Sequence, residues 1–383
     1  MKKRVFLIVL DSLGAGEALD AKAFGDEGAH TLRSIYHTGE LKIDTLRSLG
    51  IGNIDGLDFL GATENPSASV ARLAERSNGK DTVVGHWEIA GHVSAYPHPT
   101  FPCGFPESMI NRIADISGRE ILCNKPYSGT KVIEDYGNEA LDRGALIVYT
   151  SADSVLQIAA HTDVVPLCEL YDICLKLRKE FIGEALGVGR IIARPFTTGN
   201  DGKFVRTSDR KDCSLQPPKD LLPEIVKKNQ LDSIAIGKIN DIFSGVGFTE
   251  TQKTHSNEEG MAYLDKYFEK DFSGLCFANL VDFDMLWGHR RDAVAYAKGL
   301  SDFDLWLSEF VKKLLPDDAL IITADHGCDP CFEHSTDHTR EFVPYIEYSP
   351  NEKAQNWGTQ TGFDFVSNRV CRLLELKKIG GAL

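Results

Sequence analysis

The sequence lacks any apolar segment of the length that a membrane-spanning helix requires, which is about 20 residues. The run Val5–Leu10 follows the basic start Met1–Arg4 in the manner of a signal peptide, but it ends after six residues at Asp11. A signal peptide has a longer apolar core and a small-residue cleavage site. We therefore expect neither a targeting segment nor a membrane partner.

Basic residues are also fewer than acidic residues. The 42 lysines and arginines face 56 aspartates and glutamates, which gives a formal charge of −14 and a pI of about 5.3. An acidic surface repels nucleic acids and anionic lipid, so neither is an expected partner. A small phosphorylated substrate remains compatible with this charge, because local cations or metal ions can override the net field.

The cysteines lack the pattern of a disulfide framework. There are nine of them, an odd number, and they are scattered along the chain. This distribution is typical of free thiols in a reducing compartment, so we expect a cytoplasmic location. Cys328 and Cys331 have the spacing of half a structural zinc site, but no second pair accompanies them.

Short apolar runs that end on polar residues predict the fold. They are typical of buried parallel strands, and they comprise Val5–Leu10, Ala145–Tyr149, Ile234–Ile236, Leu275–Val281 and Leu320–Ile322. Between the last two runs, apolar residues recur at helical spacing from Tyr296 to Leu314, and Phe365–Leu376 predicts a short amphipathic helix. The sequence therefore predicts an α/β fold with a parallel sheet flanked by helices.

The middle of the chain has a different composition. Prolines cluster between Pro97 and Pro106, and the stretch Gly199–Pro218 is polar. A chain of 383 residues is long enough for a large domain with an insertion. We interpret the two stretches as hinges, so that residues 96–213 form an inserted smaller α+β domain. Residues 1–95 and 214–383 would then form a discontinuous core.

Acidic and imidazole side chains follow three of the predicted strands. Taken singly, such an aspartate is more often a helix cap and such a histidine a structural residue. Ligands of open α/β sheets collect at the carboxyl ends of strands, and oxygen and imidazole groups that converge there suit divalent metals. Together they indicate a site for two metal ions, which would serve phosphoryl transfer. The candidate ligands are Asp11, Asp284, His289, Asp325, His326 and His338.

A candidate nucleophile lies in the stretch 78–88, NGKDTVVGHWE, where Thr82 occupies a glycine-flanked turn. A threonine hydroxyl is a weak nucleophile unless a metal or a base withdraws its proton. Taken alone, Thr82 is more often a turn or N-cap residue. Spacing leaves both interpretations open.

Longer motifs extend along the chain and are weakest after about Pro344. They are DS at 11–12, KDT at 80–82 with GHWE at 85–88, NKP at 124–126, YTSADSVLQIA at 149–159, VDFD at 281–284 with GHRRD at 288–292, and ADHGCDP at 324–330. Together they resemble the phosphopentomutase family of the alkaline phosphatase superfamily. The resemblance implies an alkaline-phosphatase-like core with an inserted cap domain.

The resemblance also implies roles for the candidate residues. The six acidic and imidazole groups would bind two Mn²⁺ ions per chain, although other divalent metals would suit them too, and Thr82 would carry the phosphoryl group. The implied reaction is an intermolecular phosphoryl transfer between the 1-phosphate and 5-phosphate of ribose or 2-deoxyribose. Glucose 1,6-bisphosphate or a similar sugar bisphosphate would prime the enzyme.

Such a mutase needs a cap, because water at a phosphothreonine would give net hydrolysis. The inserted domain matches the family's cap, and three of its residues, Ser151, Asp153 and Val155, would touch the sugar. The candidates for the distal phosphate are Arg190, Arg206 and Lys238. Their alternative interpretation is as solvated surface cations, and arginine suits bidentate phosphate contact better than lysine.

The sequence departs from the family pattern at several points. Val84 stands where the family usually has a second threonine, and the loop from His326 to His338 is one residue longer. Within this loop His334 is an alternative to His338 as the third ligand of the group, and the stretch from Tyr345 onward also differs. Two other functions remain open: a related sugar-phosphate mutase or phosphatase, and a non-catalytic sugar-phosphate sensor. The sequence does not indicate an oligomeric state.

Overall fold

The computed structural model describes residues 3–96, 98–151, 154–182 and 187–376. The chain divides into two compact units. The core unit comprises Met1–Ala95 and Pro217–Leu383, and the inserted unit comprises Tyr96–Gln216. No helix in the described part of the chain is both long and apolar enough to span a membrane.

The core unit is built on an eight-stranded sheet. Numbered in chain order together with the strands of the inserted unit, its strands are β1 (Arg4–Leu10), β2 (Ser69–Ala74), β9 (Asp232–Ile236), β10 (Glu250–Gln252), β11 (Gly274–Leu280), β12 (Asp318–Thr323), β13 (Val343–Tyr348) and β14 (Asn356–Thr361). Their order is β10-β9-β11-β1-β12-β13-β2-β14, and every pair is parallel except the two that involve β13.

Helices accompany this sheet along the chain. They are α1 (Ala21–Phe24), α2 (Thr31–Tyr36), α3 (Asp44–Leu49), α4 (Thr82–Ile89), α8 (Leu222–Lys228), α9 (Ile239–Ile242), α10 (Asn257–Glu269), α11 (Ala293–Lys313) and α12 (Asp364–Leu373). Short 3₁₀ turns cover Ile51–Asn53 and Asp58–Leu60, and a π-helical turn covers Phe283–Gly288. The apolar stripe of α11 is buried as its spacing predicts. The predicted α/β fold is confirmed.

The central strands position the candidate site. β1, β11 and β12 are buried along their whole length, which explains why each reads as a continuous apolar run. β1 lies between β11 and β12 and is parallel to both, so the carboxyl ends of all three strands lie side by side. Asp11, Asp284 and Asp325 follow these three ends.

The inserted unit has its own sheet and two apolar layers. Its strands are β3 (Ile121–Pro126), β4 (Leu146–Thr150), β5 (Val155–His161), β6 (Arg190–Thr198), β7 (Phe204–Arg206) and β8 (Lys211–Ser214), and its helices are α5 (Glu107–Ser117), α6 (Lys131–Arg143) and α7 (Leu167–Glu180). The order is β3-β4-β5-β6-β7, with β8 also paired to β6. One apolar cluster includes residues of α5 and α7, and another includes residues of α6.

The polar stretch Gly199–Pro218 contains two strands that its composition does not indicate. β7 and β8 lie within it and pair with β6. The three residues of β7 are half-buried or exposed, so the strand has no apolar run by which the sequence would reveal it. The units separate at residues 95/96 and 216/217, and the sequence places the boundaries at 95/96 and 213/214.

Candidate metal centre

Two overlapping groups of acidic and imidazole side chains lie at the carboxyl edge of the core sheet. One consists of Asp11, Asp284 and His326, and the other of Asp284, His289 and His338. Within each group the potential ligand atoms all lie within 4.8 Å of one another. Because Asp284 belongs to both groups, its carboxylate is placed to contact two ions.

Backbone carbonyls orient the two histidines of the second group. His289 Nδ1 lies 2.7 Å from the Thr336 carbonyl oxygen, and His338 Nδ1 lies 2.9 Å from that of Lys80. A carbonyl oxygen only accepts, so each Nδ1 donates and each neutral ring presents its Nε2 lone pair. The two Nε2 atoms are 3.1 Å apart, and they lie 3.5 and 3.4 Å from the Asp284 carboxylate. A cation bound between these atoms would accept both lone pairs.

Asp325, the sixth candidate, belongs to neither group, but it lies beside the first. Its Oδ2 atom is 3.3 Å from His326 Nε2, and its Oδ1 atom accepts a hydrogen bond of 3.1 Å from the Ser12 amide. Ser12 has a φ of +73°, a left-handed conformation that is rare for a residue with a side chain. This backbone strain at Ser12 directs its amide toward Asp325, and such strain often occurs at functional sites.

The burial of these carboxylates fits a divalent cation. Asp11 and Asp325 are fully buried and Asp284 is 4% exposed. One oxygen of each, namely Asp11 Oδ1, Asp284 Oδ1 and Asp325 Oδ2, is buried without a hydrogen-bond partner among the described residues. Buried charges are costly unless they are paired or coordinate a metal. The mixture of carboxylate and imidazole donors suits ions such as Mn²⁺ or Zn²⁺.

The pKa shifts within the cluster also fit a bound cation. Burial alone would lower the pKa of His326, but Asp325 and Asp11 outweigh it and raise that pKa to about 10. Burial would raise the pKa of Asp11, but Lys238 and His326 lower it below its ordinary value. The carboxylates therefore hold a proton on His326, and a bound cation would take the place of that proton.

Thr82 is the first residue of α4, and its hydroxyl group faces the first group. Thr82 Oγ1 lies 3.2 Å from His326 Nε2. The helix is capped by Asp81, whose carboxylate accepts hydrogen bonds from the amides of Val83 and Val84. Because the neighbour caps the helix, the Thr82 hydroxyl is not needed for capping. The N-terminus of α4 also carries the positive end of the helix dipole, which favours a phosphoryl group.

The two histidines that the sequence left as alternative ligands have different surroundings in the structure. His338 lies within the second group, whereas His334 is exposed and packs against the ring of Phe332 at 5.3 Å between centroids. Cys328 and Cys331 also differ: the first is buried, with its sulfur 3.9 Å from His289 Nδ1, and the second is exposed.

Most of the predicted substrate contacts lie in the inserted unit. Val155 and Arg190 are register partners at the start of β5 and β6, and Ser151 is half-buried after β4. Arg206 lies on β7, where its Nε donates to the Gly129 carbonyl oxygen at 3.1 Å. Asp153 lies outside the described residues.

Lys238 lies in the core unit directly after Gly237 at the end of β9. Its ammonium group is 4.0 Å from Asp11 Oδ2, beside the candidate ligands. The Lys238 ammonium group therefore lies close to the first group of ligands. Its contact with a distal phosphate stays a prediction.

Sequence reasoning assigned no role to Asn279 and His86, although both contact the candidate site. Asn279 Nδ2 donates to Asp11 Oδ2 at 2.9 Å, and His86 Nδ1 lies 3.1 Å from Asp325 Oδ2. The signal for Asn279 is an amide inside the apolar run of β11. The signal for His86 is its place in the GHWE motif, one turn after Thr82.

Comparison with known proteins places the chain in a family of metalloenzymes. The model of the Metalloenzyme superfamily matches residues 3–378. The phosphopentomutase of Lachnoclostridium phytofermentans is 50% identical over 370 residues, which cover 96% of this chain and 94% of that protein.

Solved structures also match the chain, at much lower sequence identity. The PH0037 protein from Pyrococcus horikoshii has a TM-score of 0.50 at 12% identity and covers all of both chains. A phosphoglycerate mutase from Leishmania mexicana has a TM-score of 0.49 at 12% identity, with 98% of this chain and 96% of that chain covered. By its sequence match over nearly the whole length, the chain belongs to the phosphopentomutase family of the metalloenzyme superfamily.

Proposed function

We propose that the chain is a phosphopentomutase, an isomerase that interconverts the 1-phosphate and 5-phosphate of ribose and of 2-deoxyribose. The observation that carries the mechanism is the Thr82 hydroxyl group, 3.2 Å from His326 Nε2 and beside two groups of ligands that share Asp284. The full-length similarity to a phosphopentomutase supports the choice of substrate. The proposed ligands are Asp11, Asp284, His289, Asp325, His326 and His338, and the proposed ions are Mn²⁺.

Thr82 carries the phosphoryl group in the proposed cycle. The bond between Thr82 Oγ1 and phosphorus breaks as a hydroxyl oxygen of the sugar monophosphate forms its own bond to phosphorus, which gives a sugar bisphosphate. The bisphosphate returns its other phosphoryl group to Thr82 Oγ1, and the isomeric monophosphate leaves. Bound divalent ions would stabilise the transferring charge and the Thr82 oxygen.

The remaining residues serve binding. Arg190, Arg206 and Lys238 are proposed contacts of the distal phosphate, and Ser151, Asp153 and Val155 of the sugar. The inserted unit is proposed to be a cap that keeps water from the phosphothreonine, because hydrolysis there would end the cycle. A sugar bisphosphate such as glucose 1,6-bisphosphate would restore the phosphorylated enzyme. All nine cysteines are free, which supports a reducing compartment such as the cytoplasm.

Phosphorus NMR of the purified protein with Mn²⁺, a trace of glucose 1,6-bisphosphate and ribose 5-phosphate tests the proposal. We expect the 1-phosphate signal to appear without free phosphate, and the same with 2-deoxyribose 5-phosphate. Thr82→Ala should lower turnover by on the order of 10³-fold or more, because no oxygen remains to carry the phosphoryl group. Thr82→Ser, which keeps the hydroxyl group, is the matched control. Release of free phosphate without isomerisation would identify a phosphatase instead.

A further inference from the structure

Asn279 is a buried amide in an otherwise apolar strand. Its side chain is 1% exposed, and it lies one residue before the end of β11. A buried amide costs free energy unless it is hydrogen-bonded. Its Nδ2 atom is 2.9 Å from Asp11 Oδ2 and 3.3 Å from His86 Nε2. Because a carboxylate only accepts, the amide nitrogen and not the amide oxygen faces Asp11.

His86 continues this chain of hydrogen bonds from α4. The ring is fully buried, and its Nδ1 atom lies 2.8 Å from the Thr82 carbonyl oxygen. That oxygen only accepts, so Nδ1 carries the proton and the neutral ring accepts the Asn279 N–H at Nε2. The same Nδ1 atom lies 3.1 Å from Asp325 Oδ2. Each hydrogen bond therefore has a defined donor. Asn279 donates to Asp11 and to His86, and His86 donates to the carbonyl oxygen of Thr82.

The chain of bonds determines which oxygen of Asp11 is available to a cation. Asn279 occupies Oδ2, whereas Oδ1 has no hydrogen-bond partner among the described residues and lies 3.3 Å from His326 Nε2. Without the amide donor, Asp11 Oδ2 would lose this hydrogen bond, and the carboxylate would be held less firmly in its orientation. His86 connects this arrangement to the first residue of α4, which carries the Thr82 hydroxyl group.

The atoms of these two side chains that face Asp11 and Thr82 are not free to bind a metal ion. The Asn279 nitrogen has no lone pair to offer, and both ring nitrogens of His86 already have hydrogen-bond partners. The Asn279 amide oxygen is buried without a hydrogen-bond partner among the described residues. We propose that Asn279 and His86 are positioning residues that act as one unit. They orient Asp11 toward a divalent cation, and they hold the Thr82 hydroxyl group beside that cation. This inference rests on the metal site of the proposed function.

Calorimetric titration of the full-length, metal-free protein with Mn²⁺ tests the inference without an activity readout. Asn279→Leu keeps the side-chain volume and removes the donor, and we expect it to weaken Mn²⁺ affinity by about 10- to 100-fold, the usual range for such supporting contacts. Asn53→Leu is the control, since Asn53 also makes two amide hydrogen bonds, both to Thr63. The control should bind Mn²⁺ like the wild type, with circular dichroism verifying the fold of each variant.

His86→Asn is the second variant and leaves the bond between Asn279 and Asp11 in place. An asparagine amide reproduces the donor at Nδ1 but not the acceptor at Nε2, and we expect an affinity loss of about 10-fold. If Asn279→Leu does not fold, the Mn²⁺ affinity of His86→Asn tests the inference by itself. The double variant should lose no more than the larger single loss, because residues that act as a unit are not additive.

The outcomes separate the inference from the proposed function. A wild-type protein that binds no Mn²⁺ would refute the proposed metal site. A wild type that binds Mn²⁺, with folded variants of unchanged affinity, would overturn the positioning role alone. Single losses that multiply in the double variant would show that the two residues act independently, which also contradicts the inference.

Discussion

His338 and His334 lie in one loop, four residues apart, and differ in what surrounds them. His338 Nε2 is 3.1 Å from His289 Nε2, whereas the ring of His334 packs on Phe332 at the surface. We expect His338→Ala to weaken Mn²⁺ binding by at least about 100-fold, because even supporting contacts are worth about 10- to 100-fold. His334→Ala is the matched control and should bind Mn²⁺ normally. Equal losses in both variants would remove His338 from the ligand set.

His30 gives a prediction about pH. Its Nδ1 atom accepts a hydrogen bond from the Arg33 amide at the start of α2, so the folded ring must be neutral. Burial, together with the charge of Arg33, lowers the pKa of His30 from 6.5 to about 4. Below pH 6.5 the unfolded chain binds a proton that the folded chain lacks. Stability from this group is therefore complete above about pH 6.5 and is lost as the pH falls toward 4.

Urea unfolding with a chelator present measures this effect apart from metal release. His30→Asn keeps an N-cap acceptor but does not titrate. We expect the variant to lose less stability than the wild type between pH 6.5 and pH 4. Parallel pH profiles for the two proteins would show that another group is responsible.

At the scale of elements, α4 packs against the backbone that follows β12. A Cβ atom added at Gly85 would lie 2.1 Å from the Asp325 carbonyl oxygen, so only glycine allows this approach. We expect Gly85→Ala to lower the free energy of unfolding by about 1–3 kcal/mol, as overpacking does. Turnover should fall further than stability, because the displaced helix carries Thr82 and the displaced backbone carries Asp325.

Val83→Ala on the same helix is the control, since Val83 is only half-buried. Its turnover should remain near that of the wild type. A Gly85→Ala protein with full turnover would mean that the contact between α4 and Asp325 does not position Thr82.

At the scale of the whole molecule, all six proposed ligands belong to the core unit. The central strands of that unit are fully buried, and the inserted unit has two apolar clusters of its own. The four tryptophans, Trp87, Trp287, Trp306 and Trp357, also belong to the core unit. Tryptophan fluorescence therefore reports on that unit, while far-ultraviolet circular dichroism reports on both.

Metal removal should destabilise one unit only. Binding to the folded state alone stabilises it by about 2.7 kcal/mol when free ligand is at 100 times its Kd. We expect a chelator to lower the melting temperature seen by tryptophan fluorescence, and excess Mn²⁺ to restore it. The part of the dichroism transition that belongs to the inserted unit should not move. A chelator effect of equal size on both signals would contradict this assignment.

Several features could be predicted from local sequence because their causes are local. The apolar runs of β1, β11 and β12 reflect burial on both faces, and the stripe of α11 reflects one buried face. The polar strand β7 could not be predicted, because it buries too little apolar surface to leave a pattern.

The sequence by itself determined the α/β class, the residue types that could bind metal and the family resemblance, since side-chain chemistry and apolar periodicity can be read residue by residue. Only the tertiary structure decided that Asp284 is shared between two groups, that His338 rather than His334 lies among them, and that Asn279 reaches both Asp11 and His86. The two contacts of Asn279 alone join residues separated by 268 and 193 positions. Their distances depend on the order in which the strands assemble and on how closely α4 approaches the end of β12, and neither is recorded in the spacing of the residues along the chain.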